Sequence, residues 1–243
     1  MHRDVETEFK LRATRDLEIA AIDAAVREAG FVAHDPQATQ HVDVYLDDAA
    51  GALRAAGIGL RLRRANGARQ VTCKTRGERN GSLFVRDEWR APWQPEVPPR
   101  SAAELPPPLR DAVEPFVLDQ PLREVLQLAT ERDHRSLHCG QRELCELAID
   151  RVRASAAGRS TAFVEVEIEV RDDLPTCERL ADHLLQRLPV QAADDDKPGH
   201  AGALLGLQHG TEAAATVTLT PSLPLGAAVA TIAAPHLLAM QRA

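Results

Sequence analysis

Aromatic residues are scarce in this sequence: two Trp, one Tyr and five Phe among 243 positions. That scarcity argues against a base-stacking platform for single-stranded nucleic acid. A basic excess is also missing, since 36 Asp and Glu stand against 29 Lys and Arg for a net charge of −7. Neither a nucleic-acid binder nor a membrane-surface binder is expected from that balance. Cys73, Cys139, Cys145 and Cys177 form no CxxC pair, and their spacing fits neither a zinc site nor a disulfide framework. There is no GxxxxGK[ST] loop, no GxSxG and no HExxH, so P-loop phosphate handling is excluded. Met1-His2-Arg3-Asp4 runs into charged residues without an apolar stretch, and a cytoplasmic protein is expected. Asp, Glu, Lys and Arg are absent from Ala213 to Gln241, a length that could span a bilayer. Pro221, Pro224, Gly226 and Pro235 interrupt it, so it reads as a buried helix of a second, helical domain.

What is present is period-2 alternation, the mark of strands with two distinct faces. It predicts strands at 5–11, 41–47, 59–64, 69–76, 83–90, 124–132, 144–152 and 162–170. A helix is predicted from Asp16 to Ala29, with Gly30 as its stop. A second is predicted from Pro175, with Leu180, Leu184, Leu185 and Leu188 on one face. The proline-rich stretch from Pro92 to Pro108 reads as a surface connection, followed by a short helix over 109–117. So many strands with few helices predict α+β architecture, either a closed antiparallel barrel or a sandwich.

Face chemistry favours the barrel. Glu6, Glu8 and Lys10 share one face of the first strand; Glu165, Glu167 and Glu169 share one face of the last. Asn66-Gly67 is a type I′ hairpin signal. It sets Arg63 opposite Gln70, Arg61 opposite Thr72 and Gly59 opposite Lys74. Arg61, Arg63 and Lys74 then lie on one face. Like charges along a strand repel unless something neutralises them. Turning these faces inward places acids and bases across a shared lumen. Clustered carboxylates suit a divalent cation and clustered Arg and Lys suit a polyanion, so the lumen suits a metal–polyphosphate complex.

The opening Glu6-Thr7-Glu8-Phe9-Lys10 resembles the ExExK signature of the CYTH domain, the triphosphate tunnel metalloenzymes. The likeness continues through Asp43 to Asp47, Leu53-Arg54, Gly57 to Arg63 and Thr72-Cys73-Lys74. It extends through Arg86-Asp87-Glu88, Glu146 to Asp150, Glu165 to Glu169 and Lys197. The resemblance implies an eight-stranded antiparallel β-barrel, a tunnel with flanking helices, over residues 1–210. It implies metal ligands at Glu6, Glu8, Glu165 and Glu167, with Mg²⁺ or Mn²⁺ as cofactor. Phosphate contacts are implied at Lys10, Arg61, Arg63, Lys74, Arg86, Arg132 and Lys197, with Arg135 competing for the role of Arg132. Lys10, Glu88 and Asp150 are implied as catalytic. One position departs from the family pattern: Arg90 stands where a second acid is common, which puts a second metal in question. Thr220-Pro221-Ser222 and the run from Ala227 to Met240 resemble the first helix of a CHAD domain, which implies a linker at 211–220 and a helical segment at 221–243.

The expected activity is hydrolysis of inorganic tripolyphosphate or a related triphosphate. Class IV adenylate cyclase, thiamine triphosphatase and a non-catalytic polyphosphate-binding module are the alternatives, in a monomer or homodimer. His134 and His138, about 13 Å apart on a strand, are too distant for one metal. Asp194-Asp195-Asp196 reads as a solvated loop.

Overall fold

The computed structural model describes residues 2–207; the expected linker and CHAD-like helix lie outside the described residues, as does the uncharged stretch from Ala213. The alternating segments become strands β1 (His2–Ala13), β2 (Val32–Asp47), β3 (Gly59–Ala65), β4 (Ala68–Lys74), β5 (Glu78–Asn80), β6 (Leu83–Pro92), β7 (Arg123–Cys139), β8 (Arg142–Ala156), β9 (Arg159–Val170) and β10 (Val190–Ala192). They form one antiparallel sheet in the order β10-β1-β9-β8-β7-β2-β3-β4-β6-β5, and β6 also pairs with β1. That pairing closes eight strands into a barrel, which leaves none of the eight with an open edge. β5 and β10 are additional short strands outside the ring.

The hairpin fixes the register as its turn dictates. Asn66 and Gly67 both have positive φ, 50° and 75°, and Gly59 pairs with Lys74, Arg61 with Thr72 and Arg63 with Gln70. Strands β2 and β7 are longer than their alternation predicted. They pair from Asp47–Arg123 back to Val32–His138, with β-bulges where the alternation breaks.

Helices α1 (Ile19–Glu28), α2 (Ala52–Ala55), α3 (Pro107–Val117), α4 (Leu174–Arg187) and α5 (Lys197–Leu204) surround or enter the barrel. α1 ends at Gly30, φ 85°. There the amides of Gly30 and Phe31 donate to the carbonyls of Arg27 and Val26, a Schellman stop. α4 starts one residue before Pro175, capped by Asp173, which accepts from the Thr176 amide.

Three apolar clusters follow. α1 and α4 cover the outer faces of β1, β8 and β9, burying Leu11, Leu147, Ile149 and Ile168 completely. α2 and α3 cover β3 and β4 through Leu53, Leu60, Leu62 and Val71. Trp93, Ala102 and Leu105 join that cluster, so the stretch from Pro92 to Pro108 is packed rather than a simple surface connection. The third cluster is internal. Ala201 and Leu205, at α5, meet Tyr45, Leu126, Leu128, Val152 and Ala154 from the barrel's inner wall. α5 therefore plugs one end of the lumen.

Candidate active site

Strand alternation delivers the charged residues to the inside. β1 turns Glu6, Glu8, Lys10 and Arg12 inward, and β6 sets Arg86 and Glu88 beside them. β9 contributes Glu165 and Glu167 next to Arg12 and Lys10. β8 and β7 add Asp150 and Arg132, which are direct register partners. β2 and β3 supply Asp43, Arg63 and Arg61, and β4 supplies Thr72 and Lys74. α5 brings in Lys197. All thirteen predicted site residues thus share one lumen.

The charges are interleaved. Lys74 Nζ donates to both oxygens of Glu6 at 2.7 and 2.8 Å. Arg86 bridges Glu6 and Glu8 at 2.9 and 2.7 Å. Lys10 contacts Glu167 and lies 3.0 Å from Glu8. Arg132 forks onto Asp150 at 2.7 and 2.6 Å and reaches Glu167 at 2.6 Å. Lys197 completes that group, 2.9 Å from Asp150 and 3.0 Å from Glu165. At a third centre, Arg63 forks onto Asp43 at 2.7 Å with both nitrogens, and Arg61 joins at 3.2 Å. Arg135 points outward to Asp23 and Asp133, leaving Arg132 as the lumen arginine of β7.

Burial makes these pairings consequential for proton affinity. Burial would raise Glu6, but Lys74, Arg86 and Lys10 together hold it well below its ordinary value of 4.5. Glu8 moves the other way: burial, with the like charges of Glu6 and Glu167, outweighs Lys10 and raises it. Lys10 and Lys197 stay firmly protonated, because Glu167, Glu8, Asp150 and Glu165 overcome the cost of burial. Lys74 is lowered, first by burial and then by Arg86 and Arg61, despite Glu6.

The donor set has the chemistry for a hard divalent cation: carboxylate oxygens only, on adjacent strands β1 and β9. Lys10 Nζ already sits among Glu8, Glu165 and Glu167, 3.8 Å from Glu165, which shows that these carboxylates converge on a positive charge. Among the described residues no three His, Cys, Asp or Glu side chains form a ready-made cage; Lys10, Arg86 and Lys197 lie among the carboxylates. Mg²⁺ needs no such cage, since it binds through one or two carboxylates plus substrate phosphates.

Several further lumen positions stand out in the structure. Asp43 anchors Arg61 and Arg63, although its alternation with Tyr45 and His41 on one face of β2 was visible. Arg12 pairs with Glu165. Thr72 Oγ1 and Arg61 Nε are buried without a hydrogen-bond partner, as expected of groups that await a ligand or water. Arg90 stands near the opposite end from α5, paired with Asp4 and 3.6 Å from Glu88. The run Asp194-Asp195-Asp196 is more than a solvated loop: Asp196 caps α5 by accepting from the Gly199 amide and also reaches Arg86 at 3.4 Å. His134 and His138 lie on β7 as predicted, His134 beside Glu146 and His138 against the ring of His34.

The CYTH domain model matches residues 4–194. Among solved structures, the chain is similar to HpAC1 from Hippeastrum, a candidate adenylyl cyclase with a dominant triphosphatase activity. That match has 16% identity, a TM-score of 0.58, and coverage of 82% of this chain and 95% of that one. It is also similar to a candidate adenylate cyclase from Bacillus halodurans, at 16% identity and TM-score 0.52, covering 82% and 98% of the two chains. At these identities the likeness shows the fold. The curated proteins contain no match.

Proposed function

The chain belongs to the CYTH domain family, and we propose that it is a divalent-metal-dependent triphosphatase acting on inorganic tripolyphosphate. The observation that carries this reading is the plugged lumen, where Lys10, Arg61, Arg63, Lys74, Arg86, Arg132 and Lys197 converge with acids between them. A tripolyphosphate entering from the end opposite α5 exchanges those acids for its own oxygens. Arg61, Arg63 and Lys74 hold the non-reacting phosphates, and Arg132 and Lys197 meet the deepest one. Glu6, Glu8, Glu165 and Glu167 would hold the cation, which supplies charge neutralisation to phosphate oxygens when bound. Water attacks the terminal phosphorus, the bridging P–O bond breaks, and orthophosphate and pyrophosphate leave. Most of the acceleration comes from positioning and charge. Lys10 and Asp150 stay charged and serve as fixed electrostatic groups. Lys74, lowered, is the group moved toward proton exchange, and it shares Glu6 with Arg86.

The lumen's aromatic rings support an inorganic substrate over a nucleotide. Phe84 lies beneath Lys10, Tyr45 is buried in the α5 cluster and Phe163 packs edge-on against His200, so each is already covered. The second reading, a polyphosphate-binding module without catalysis, rests on Arg90 in place of an acid beside Glu88. The test is phosphate release from tripolyphosphate, ATP and thiamine triphosphate with Mg²⁺, Mn²⁺ or EDTA. Metal-dependent release, fastest on tripolyphosphate, is the expected result. Binding of tripolyphosphate without release under any metal would replace the triphosphatase with the binding module.

A further inference from the structure

The two helical layers leave a sector of the barrel's outer wall uncovered. α1 and α4 cover one side of it and α2 and α3 the other. Between them lies a groove of about 940 Å³, walled by the chain after β1 and by the β3–β4 hairpin tip. Its floor is the outer face of β2, β7, β8 and β9, where Val42, Ala129, Ala162 and Val164 leave a low apolar surface.

Arginines dominate the rim of this groove. Arg15, Arg64, Arg69, Arg151 and Arg153 line it against only Asp16 and Glu131, in a chain whose net charge is −7. Arg151 and Arg153 stand two residues apart on the outer face of β8; Arg153 is flanked in register by Ala129 and Ala162. Arg15, Arg151 and Arg153 are exposed and have no ion-pair partner among the described residues. Arg64 and Arg69 are held by loop carbonyls, donating to Glu96 O at 3.2 Å and Gln94 O at 2.8 Å, and Arg69 Nε is buried without a partner. Each guanidinium keeps further N–H donors for a ligand.

We propose that this groove is a second phosphate site, outside the lumen, that docks an extended inorganic oligophosphate chain. Guanidinium groups match phosphate oxygens in pairs, and several along one cleft suit a ligand with repeating charge. A nucleic acid is disfavoured because the groove offers no stacking ring: Phe163 contributes to its lining, but its ring faces His200 and Arg12 on the inner side. The site does not depend on catalysis in the lumen.

The test is calorimetric titration of the full chain with long-chain polyphosphate across a salt series, for wild type and Arg151→Glu/Arg153→Glu. The double variant is expected to bind long chains about tenfold more weakly, with a salt slope lower by about 2. Its hydrolysis of tripolyphosphate, or its tripolyphosphate affinity if no hydrolysis occurs, is expected to be unchanged. If charge reversal unfolds the barrel, Arg151→Gln/Arg153→Gln is expected to show the same direction of change. Unchanged affinity and salt slope in the folded variants would overturn the proposal. So would tighter binding of single-stranded RNA than of polyphosphate, lost in the same variants.

Discussion

On β8 the two faces of the barrel are one residue apart. Ile149 points outward and Asp150 inward, and both are fully buried. Outside, Ile149 meets the helices through apolar contact, and its burial contributes directly to folding. Inside, Asp150 is surrounded by Arg132 and Lys197, and such an ion pair recovers little more than its own desolvation. Apolar residues of similar volume would fill the same space at no greater cost. Burial alone therefore does not identify the folding core: the outer apolar layer contributes directly to folding, and the inner charged layer contributes far less than its burial suggests.

The largest effect expected from breaking this division is on catalysis. Lys74→Met removes one lumen cation, and phosphate release is expected to fall by about 10³-fold, measured as kcat/KM on tripolyphosphate. Leu147→Ala cuts the outer layer instead. It is expected to cost about 3 kcal/mol in urea unfolding, with activity per folded molecule retained. Tripolyphosphate with Mg²⁺ sharpens the contrast, because a ligand at a hundred times its Kd stabilises by about 2.7 kcal/mol. The resulting Tm increase is expected in Leu147→Ala and greatly reduced in Lys74→Met.

The smallest effect concerns pH. His41 faces the lumen beside Asp43, and burial with Arg63 lowers its pKa from 6.5 to about 4. The neutral ring is the form the folded state favours. Its contribution is therefore complete above pH 6.5 and is lost as pH falls from there toward 4. Unfolding free energy measured over that window is expected to decline, and less steeply in His41→Gln. An equal slope in both proteins would assign the decline elsewhere.

Much of this arrangement was legible because a strand's period of two is rigid. Once Asn66-Gly67 set the hairpin, Arg61, Arg63 and Lys74 had to share a face, and the repeated acids of β1 and β9 favoured turning that face inward. Charge accumulation favoured a closed ring over a sandwich, and the CYTH resemblance implied its eight strands. Less legible were elements whose reasons are tertiary. α5 spans Lys-Pro-Gly-His-Ala-Gly-Ala-Leu, a weakly patterned helix held by the barrel interior. Its cap at Asp196 and its proline in the first turn were the available signals. β2 and β7 extend well past their alternation because they pair with each other rather than cover a core. Asp43 was visible as a motif residue but not as an anchor, since its role depends on two arginines from the neighbouring strand.

If the lumen charges serve a ligand rather than the fold, Glu6→Leu/Lys74→Met separates stability from activity. Urea unfolding and phosphate release are measured on the same preparation of this double variant. Unfolding free energy equal to wild type or higher, with phosphate release abolished, is the expected result. A loss of several kcal/mol with release per folded molecule intact would contradict it, and would make the Glu6–Lys74 pair part of the folding core.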